Sequence, residues 1–202
     1  MIYEVRTYTL KPGTVAQFEE AFGKAVPARA KVSPLGAFFH TDIGPLNQVI
    51  HIWPYESMEH REECRATKVE GWPPPNGGNI LNMESEIWNP AEFMRPMSNQ
   101  ALGGIYEMRT YTYQPGTMNE VLKRWSAAIP HREEYSPLAA GMYSELGGLN
   151  RWMHVWPYKD LAERNQIRAE AGKNAHWPPA TREFLVRQEN KIMIPAAFSP
   201  MH

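Results

Sequence analysis

Several features that usually direct a functional assignment are scarce in this 202-residue chain. Its single cysteine, Cys64, has no partner for a disulfide within the chain, which fits a reducing cytoplasm. The 21 basic and 22 acidic residues give a formal net charge of −1. This balance gives no electrostatic reason to expect nucleic acid or an anionic membrane as a partner.

Membrane and cofactor motifs are also missing from the sequence. No apolar run approaches the roughly 18 residues of a membrane span, and the N-terminus has neither the basic start nor the apolar core of a signal peptide. We therefore predict a cytoplasmic protein. There is no phosphate-binding glycine loop, no zinc-spaced Cys/His cluster and no G-x-S-x-G elbow, so no metal or cofactor is predicted.

What the sequence does contain is a tandem repeat. Residues 2–14 and 105–117 are identical at ten of thirteen positions, at an offset of 103. Further matches pair GPLNQVIHIWPY (44–55) with GGLNRWMHVWPY (147–158), and ESEIWNPAEF (84–93) with ENKIMIPAAF (189–198). The repeat predicts one module at 1–94, a linker rich in Pro, Ser, Asn and Gly at 95–104, and a second module at 105–202.

Each copy shows the same order of predicted elements. Strands are expected at 2–10, near 36–42, at 48–53 and near 81–88. A helix is expected to open at Thr14, with Gln17 completing a capping box that Thr117 and Glu120 repeat. Ser57, like Asp160, is expected to cap a short polar helix.

This order is βαββαβ, the ferredoxin-like unit, in which an antiparallel sheet carries helices on one face. The other sheet face must be covered. The predicted fold is therefore α+β, with two ferredoxin-like modules packed sheet to sheet as a pseudo-dimeric α/β barrel.

Two motifs in the right order resemble the NIPSNAP family over nearly the whole chain. The first is YEVRTY (3–8), followed by Pro12-Gly13, and the second is GPLN (44–47), running into His51-Ile52-Trp53. The second copy matches both, with Gly148 in place of a proline. The resemblance implies the dimeric α/β-barrel fold and an uncharacterised activity. The wider group includes haem-binding enzymes, cofactor-free monooxygenases and lactone isomerases, so fold alone does not give chemistry.

Side chains alternate across a strand, and chemistry suggests which face is which. We expect Tyr3, Val5, Ile50, Ile52 and Ile87 to face the helices. The polar face would then point between the two sheets. Its candidate site residues are Glu4, Arg6, Tyr8, His51, Trp53, Glu84 and Glu86, with Glu107, Arg109, Tyr111, His154, Trp156, Glu189 and Lys191 from the second copy.

One hypothesis is an enzyme that acts on a small organic molecule, by proton-transfer or monooxygenase-type chemistry. His51 or His154 would move a proton, and Arg6 or Arg109 would hold an anion. Tyr8 or Tyr111 would donate to a developing oxyanion. Other substrate-binding candidates are Glu4, Glu107, Trp53, Trp156, Glu84 and Glu189.

Several alternatives remain open at this stage. The same residues could form structural ion pairs in a non-catalytic binding or scaffold protein with a packed barrel. Haem could bind His51 or His154. Arg61 and Arg65, which match Arg164 and Arg168, are interpreted as a solvated helix face. The Trp72 and Trp177 loops either lie over the barrel ends or place each Trp at the edge of the core. The chain is expected to form a homodimer.

Overall fold

Both halves of the chain fold into the same order of strands and helices, in a computed structural model that describes residues 1–97 and 101–202. The first module contains β1 (Ile2–Leu10), α1 (Val15–Ala30), β2 (Ala37–Ile43), β3 (Gln48–Tyr55), α2 (Met58–Ala66) and β4 (Ile80–Pro90). The second contains β5 (Ile105–Tyr113), α3 (Met118–Glu133), β6 (Ala140–Leu146), β7 (Arg151–Tyr158), α4 (Leu161–Ala171) and β8 (Leu185–Pro195). Within the described ranges, no helix has the length and apolar character needed to cross a membrane. Residues 98–100 of the expected linker lie outside the described residues.

The eight strands form one closed antiparallel barrel, in the order β1-β3-β2-β8-β5-β7-β6-β4. Two pairings join the modules, β2 with β8 and β4 with β6. Each sheet thereby loses both exposed edges, which removes a site of unwanted strand pairing. The predicted fold of two ferredoxin-like modules in a pseudo-dimeric barrel is confirmed.

The helix starts follow the sequence only in part. Ser57 accepts from the backbone N–H of His60, and Asp160 accepts from that of Glu163, as predicted. The capping boxes at Thr14 and Thr117 are wrong, because neither side chain caps its helix. Each hydroxyl instead donates to a carbonyl three residues earlier, at 2.7 Å in both copies, and so closes the Pro-Gly turn.

The inside of the barrel is a hydrophobic core shared by the two modules. Tyr3, Val5, Ile50 and Ile52 lie there, in one cluster with their counterparts from the second module: Tyr106, Met108, Met153 and Val155. The prediction that these residues face the helices is therefore wrong, except for Ile87, which pairs with Glu4 and does lie on the helix side. Both sheet faces are buried in a barrel of this kind, and the more apolar face covers the sheet of the other module.

Two acidic residues also lie on a different face from the one predicted. The register pairs Glu86 with Val5 and Glu84 with Thr7, so both share the barrel-side face rather than the face of Glu4 and Arg6. Lys191 and Glu189 occupy the same positions in the second module. Lys191 donates to Gln48 at 3.0 Å, and burial lowers its pKa.

Each module also packs the segment that follows its last strand onto the other module. Phe198 follows β8 and lies 4.9 Å from the ring of Phe38 and 5.8 Å from that of Phe22. Phe93 follows β4 and lies 5.8 Å from Trp152. Because β8 pairs with β2 and β4 with β6, this exchange follows from barrel closure and ties the two halves together.

Candidate functional site

Each module contains a cavity between the outer face of its sheet and its two helices. The first-module cavity has a volume of about 1000 Å³ and the second-module cavity about 470 Å³. Trp72 lies against Trp53 and Phe22, so its loop covers the first cavity rather than a barrel end. Trp177 covers the second cavity in the same way, against Trp156 and Trp125.

The polar face predicted to point between the sheets lines these cavities instead. Glu4, Arg6, Tyr8, His51 and Trp53 line the first cavity. Arg109, Tyr111, His154 and Trp156 line the second, and the fully buried Glu107 lies at its base. The structure therefore brings together most of the predicted set but moves its site from the barrel interior to the sheet–helix layer. Glu84, Glu86, Glu189 and Lys191 are not part of it.

At the base of the first cavity, one buried carboxylate receives several cationic donors. Oε1 of Glu4 accepts from Arg6 Nη1 at 2.6 Å, Arg61 Nη2 at 2.8 Å and Ser85 Oγ at 2.6 Å. Arg65 Nη1 lies 3.8 Å away. Burial raises the pKa of the Glu4 carboxyl, but the donors from Arg61 and Ser85 and the charge of Arg6 outweigh it and lower the pKa to about 2. Glu4 is therefore ionised at neutral pH, and its single charge does not balance the three guanidiniums.

The second cavity repeats this cluster. Oε1 of Glu107 accepts from Arg109 Nη1 at 2.8 Å and Arg164 Nη2 at 2.5 Å, and Asn190 replaces the serine at 3.2 Å. Arg168 Nη1 donates to the other oxygen at 3.4 Å. Burial raises the pKa of Glu107, but the Arg164 hydrogen bond and the charges of Arg109 and Arg168 lower it overall.

The helix-borne arginines of these clusters correct an interpretation of the sequence. Arg61 and Arg65 on α2 point at Glu4, and Arg164 and Arg168 on α4 point at Glu107, so they do not form a simply solvated face. The sequence held a signal for this contact, because both arginines recur in each copy together with the glutamate.

Sequence reasoning also missed a buried arginine on the first helix of each module. Arg29 and Arg132 are 4% and 2% exposed and line the two cavities. The Arg29 guanidinium lies 5.5 Å from the ring of Trp53, a cation–π distance. Arg132 lies 4.2 Å from the ring of Trp156 and donates to the Tyr158 hydroxyl at 3.0 Å. Burial lowers the pKa of Arg132.

The imidazole of His51 is fixed in one tautomer by its neighbour on the strand. Trp53 Nε1 lies 2.6 Å from His51 Nδ1, and an indole nitrogen can only donate. Nδ1 is therefore the acceptor, and in the neutral ring Nε2 carries the hydrogen. Among residues 1–97 and 101–202, Nε2 of His51 has no hydrogen-bond partner. Trp156 and His154 repeat the arrangement at 2.7 Å.

This environment keeps both imidazoles neutral. Burial, followed by the charge of Arg6, lowers the pKa of His51 to about 3. Burial, followed by the charge of Arg109, lowers the pKa of His154 well below its usual range. A neutral imidazole whose Nδ1 accepts from an indole carries its hydrogen on Nε2, so the ring can donate a hydrogen bond but is poorly suited to proton abstraction.

The Tyr8 hydroxyl is oriented in a similar way. Arg6 Nε donates to the Tyr8 oxygen at 2.9 Å, and Arg109 Nε donates to Tyr111 at 2.7 Å. Each phenol accepts from the guanidinium, so its own hydrogen is left to donate elsewhere.

The two cavities differ more in the side chains of their walls than in the polar side chains at their floors. Tyr113 stands where the first module has Leu10, and Trp125 stands where it has Phe22. Tyr113 also bonds the Thr181 hydroxyl at 3.0 Å. These larger side chains, both lining the second cavity, account for much of its smaller volume.

The covering loops differ as well. Arg124 on α3 hydrogen-bonds Glu183 at 2.7 Å and also the carbonyl of Ala180, which ties the second loop to the helix. Ala21 takes the place of Arg124 in the first module. There a side-chain hydrogen bond from Asn79 to Gln17 at 3.1 Å joins the loop to α1, in addition to the packing of Trp72 on Phe22.

Metal-binding side chains do not converge at either cavity. Across the part of the chain that the structure describes, no group of three or more His, Cys, Asp or Glu residues is placed to hold a metal ion. Cys64, the lone cysteine, is buried and its thiol lies 3.4 Å from the carbonyl of Val32, a packing role.

Solved structures of distantly related sequence share the overall fold. A protein from Lactobacillus acidophilus, provisionally named a monooxygenase, matches 97% of this chain and 94% of its own with a TM-score of 0.68 and 9% identity. An anthrone oxidase-like protein matches 96% and 90% with a TM-score of 0.59 and 9% identity. At this identity the likeness shows a shared α/β-barrel fold alone.

The family follows from sequence. The NIPSNAP family profile matches residues 3–95 and again 106–200, and the chain belongs to this family. Human NipSnap homolog 3A is 31% identical over 215 residues, covering 100% of this chain and 86% of its own. Drosophila melanogaster NipSnap is 25% identical over 216 residues, covering 99% and 78%. A NIPSNAP protein of unknown function from Agrobacterium tumefaciens is 30% identical, covering 51% of this chain and 97% of its own, with a TM-score of 0.47.

Proposed function

We propose that the first-module cavity binds a planar organic anion, an aromatic or conjugated carboxylate or enolate, and that this binding is the function of the chain. The observation that carries the proposal is the lining. A cavity of about 1000 Å³ has four basic side chains and one buried carboxylate among aromatic rings. The basic residues are Arg6, Arg29, Arg65 and Lys68.

Charge supports an anionic ligand. Glu4 is the one acidic residue among those that line the cavity in the described structure, and Arg6 and Arg61 already use its Oε1. A guanidinium offers a planar fork that matches a carboxylate. Arg65, which lies 3.8 Å from Glu4 and is 45% exposed, is the best placed to turn toward a ligand.

Shape supports a flat ligand larger than one ring. Trp53, Trp72 and Phe22 present aromatic surfaces to the cavity. Leu81 and Met83 lie at its mouth and are 59% and 56% exposed, so a ligand that reaches them would cover apolar surface. The volume is at the upper end of the range of about 300–1000 Å³ typical of small-molecule sites.

The polar donors support a delocalised negative charge. The Tyr8 O–H is left to donate, and the buried Nε2–H of His51 has no partner within the described residues; fixed donors in a buried site stabilise developing oxyanions. The proposal therefore assigns His51 and, by symmetry, His154 a donating role in place of proton transfer. Oxygen uptake in the presence of a bound enolate would extend the proposal to monooxygenase-type chemistry.

Calorimetric titration with 2-naphthoate tests the proposal, with the neutral 2-naphthamide as the matched ligand. Naphthoate is expected to bind, and naphthamide to bind at least tenfold more weakly. Arg65→Gln should weaken naphthoate binding roughly tenfold, the usual size of a lost charged hydrogen bond. Arg187→Gln, an exposed change outside the cavity, should leave it unaltered. Equal binding of the two ligands would contradict the proposal.

One observation favours the second candidate, a scaffold protein. The barrel interior holds the hydrophobic core that the two modules share, as expected for a packed barrel. Absence of naphthoate binding would favour this reading. Haem does not fit His51 or His154 as they are arranged, because the indole donates to Nδ1 and leaves the hydrogen on Nε2, so neither nitrogen offers a lone pair to iron.

We also propose a homodimer formed through one end of the barrel. Ile43, Leu46, Leu146 and Leu149 are 49–62% exposed and lie in the two equivalent β2–β3 and β6–β7 hairpins. Exposed apolar residues repeated about an internal twofold suit a second copy of the chain. Leu46→Lys with Leu149→Lys should give the monomer mass in light scattering; an unchanged dimer would exclude this surface. The cytoplasmic location stays a prediction from the sequence.

A further inference from the structure

We infer that the second-module cavity is a separate and smaller anion site, suited to a single-ring planar carboxylate. Four arginines line its volume of about 470 Å³, and the one buried carboxylate beneath them, Glu107, pairs with Arg109 and Arg168 and leaves Arg132 and Arg182 without an acidic partner among the described residues. The four are Arg109, Arg132, Arg168 and Arg182. The inference does not depend on the first cavity binding a ligand.

One buried polar atom on a residue that lines this cavity lacks a hydrogen-bond partner within the described residues. His154 is 2% exposed, lines the cavity, and its Nε2 has no hydrogen-bond partner within the described residues. Trp156 occupies the other ring nitrogen, so Nε2 presents an N–H in the neutral ring. Buried donors without partners are uncommon in folded proteins, and a bound anion would satisfy this one.

The remaining arginines surround the same space. Arg132 is 2% exposed and lies over the rings of Trp156 and Trp177 at 4.2 and 5.8 Å. Arg182, in the short 3-10 helix Arg182–Phe184, stands exposed at the entrance. Flat aromatic walls and planar guanidiniums favour a planar carboxylate over a tetrahedral anion of equal charge.

Size distinguishes this site from the first. Tyr113 and Trp125 line this cavity at the positions where the first module has the smaller Leu10 and Phe22, and Arg124 ties the covering loop to α3. The two cavities share no lining residue, and the barrel core lies between them. We therefore assign one ring to the second cavity and a larger ligand to the first.

Indole N–H signals in nitrogen-15 NMR spectra report on each cavity separately. Trp53 and Trp72 line the first cavity, while Trp125, Trp156 and Trp177 line the second. The signal that disappears in Trp72→Phe reports on the first cavity, and the one that disappears in Trp177→Phe reports on the second. Benzoate is expected to shift the second-module signals at a concentration at least fivefold lower than the first-module signals.

Two exposed charge reversals provide matched controls. Arg182→Glu should weaken the benzoate response of the second-module signals at least fivefold and leave the 2-naphthoate response of the first module unchanged. Lys68→Glu should leave the second-module benzoate response unchanged.

The inference would be overturned if benzoate had no effect on the second-module indole signals, or if Arg182→Glu left their response unchanged. Inorganic phosphate that displaces benzoate at equal concentration would overturn the assignment to a planar carboxylate. Loss of naphthoate binding alone would count against the first cavity only.

Discussion

The carboxylate–guanidinium clusters beneath the two cavities make nearly the same contacts, whereas the walls and covering loops above them differ. Glu4 and Glu107 each collect three arginines from the same positions of strand and helix. The cavity above one is about twice the volume of the cavity above the other. The shared base reflects what the fold requires to join sheet and helices, and the divergent walls are where we propose that ligand preference resides.

The largest expected effect on the free energy of unfolding comes from removing the buried carboxylate of either cluster. Glu4→Ala would leave three guanidiniums without their buried counter-charge, which costs on the order of 3–5 kcal/mol when a buried pair is broken. Glu107→Ala should cost a similar amount. Chemical denaturation measures both, and a loss below 1 kcal/mol at either position would show that the clusters are not equivalent supports.

A second prediction concerns two neighbouring positions at which the large and the small side chain are swapped between the modules. Phe38 with Val49 in the first module corresponds to Gly141 with Trp152 in the second. A Cβ at Gly141 would lie 2.9 Å from Trp152 Cη2, so Gly141→Phe alone should overpack the core. Trp152→Val alone should cost on the order of 3 kcal/mol through the cavity it leaves.

The double variant is the informative one. Gly141→Phe with Trp152→Val recreates the first-module pair and should recover more than half of the summed loss, measured as a coupling free energy in a double-mutant cycle. Strictly additive losses would contradict complementary packing at these positions.

A third prediction concerns pH. The pKa of His51 is lowered to about 3 by burial, so between pH 6.5 and 3 the unfolded chain binds a proton that the folded chain does not. Stability should therefore be full above pH 6.5 and fall by about 1.4 kcal/mol per pH unit below it for each such imidazole. His154, shifted in the same direction, adds to the slope.

The carboxylates act in the same direction at lower pH. The pKa of Glu4 is lowered to about 2, so its contribution is present above pH 4.5 and is lost as the pH falls toward 2. His51→Phe should flatten the stability profile between pH 6.5 and 4.5, where the carboxylates contribute little. An unchanged profile in this variant would indicate that the imidazole is charged in the folded protein.

The smallest expected effect concerns the covering loops. Arg124→Ala should cost about 1 kcal/mol or less, because it removes partly exposed contacts to Glu183 and Ala180. The substitution should nevertheless speed proteolysis of the loop at 172–181, so that its rate approaches that of the equivalent first-module loop at 67–79. Equal rates in the unaltered protein would remove the difference that we draw between the two loops.

The repeat and the alternation of its strands were enough to predict the fold. Residues 2–10 carry both the β-forming composition and the repeat, and β1 spans Ile2–Leu10 as expected. The pairing of two bare sheet faces followed from the need to bury them, and the closed barrel confirms it.

The location of the site could not be predicted by the criterion that we used. Alternation separates Tyr3 and Val5 from Glu4 and Arg6 but does not say which face meets the helices, because both faces are buried. A better criterion was present in the helices. Arg61 and its counterpart Arg164 need a buried acidic partner, and the repeated glutamate of the first strand supplies it.

The most direct test of the account is the position of a bound ligand. A crystal of the protein soaked with 6-bromo-2-naphthoate would show a bromine anomalous peak. We predict that this peak lies in the first-module cavity, with the carboxylate near Arg65 and the ring against the aromatic walls of the cavity. A peak inside the barrel, among Tyr3, Val5 and their second-module counterparts, would contradict it.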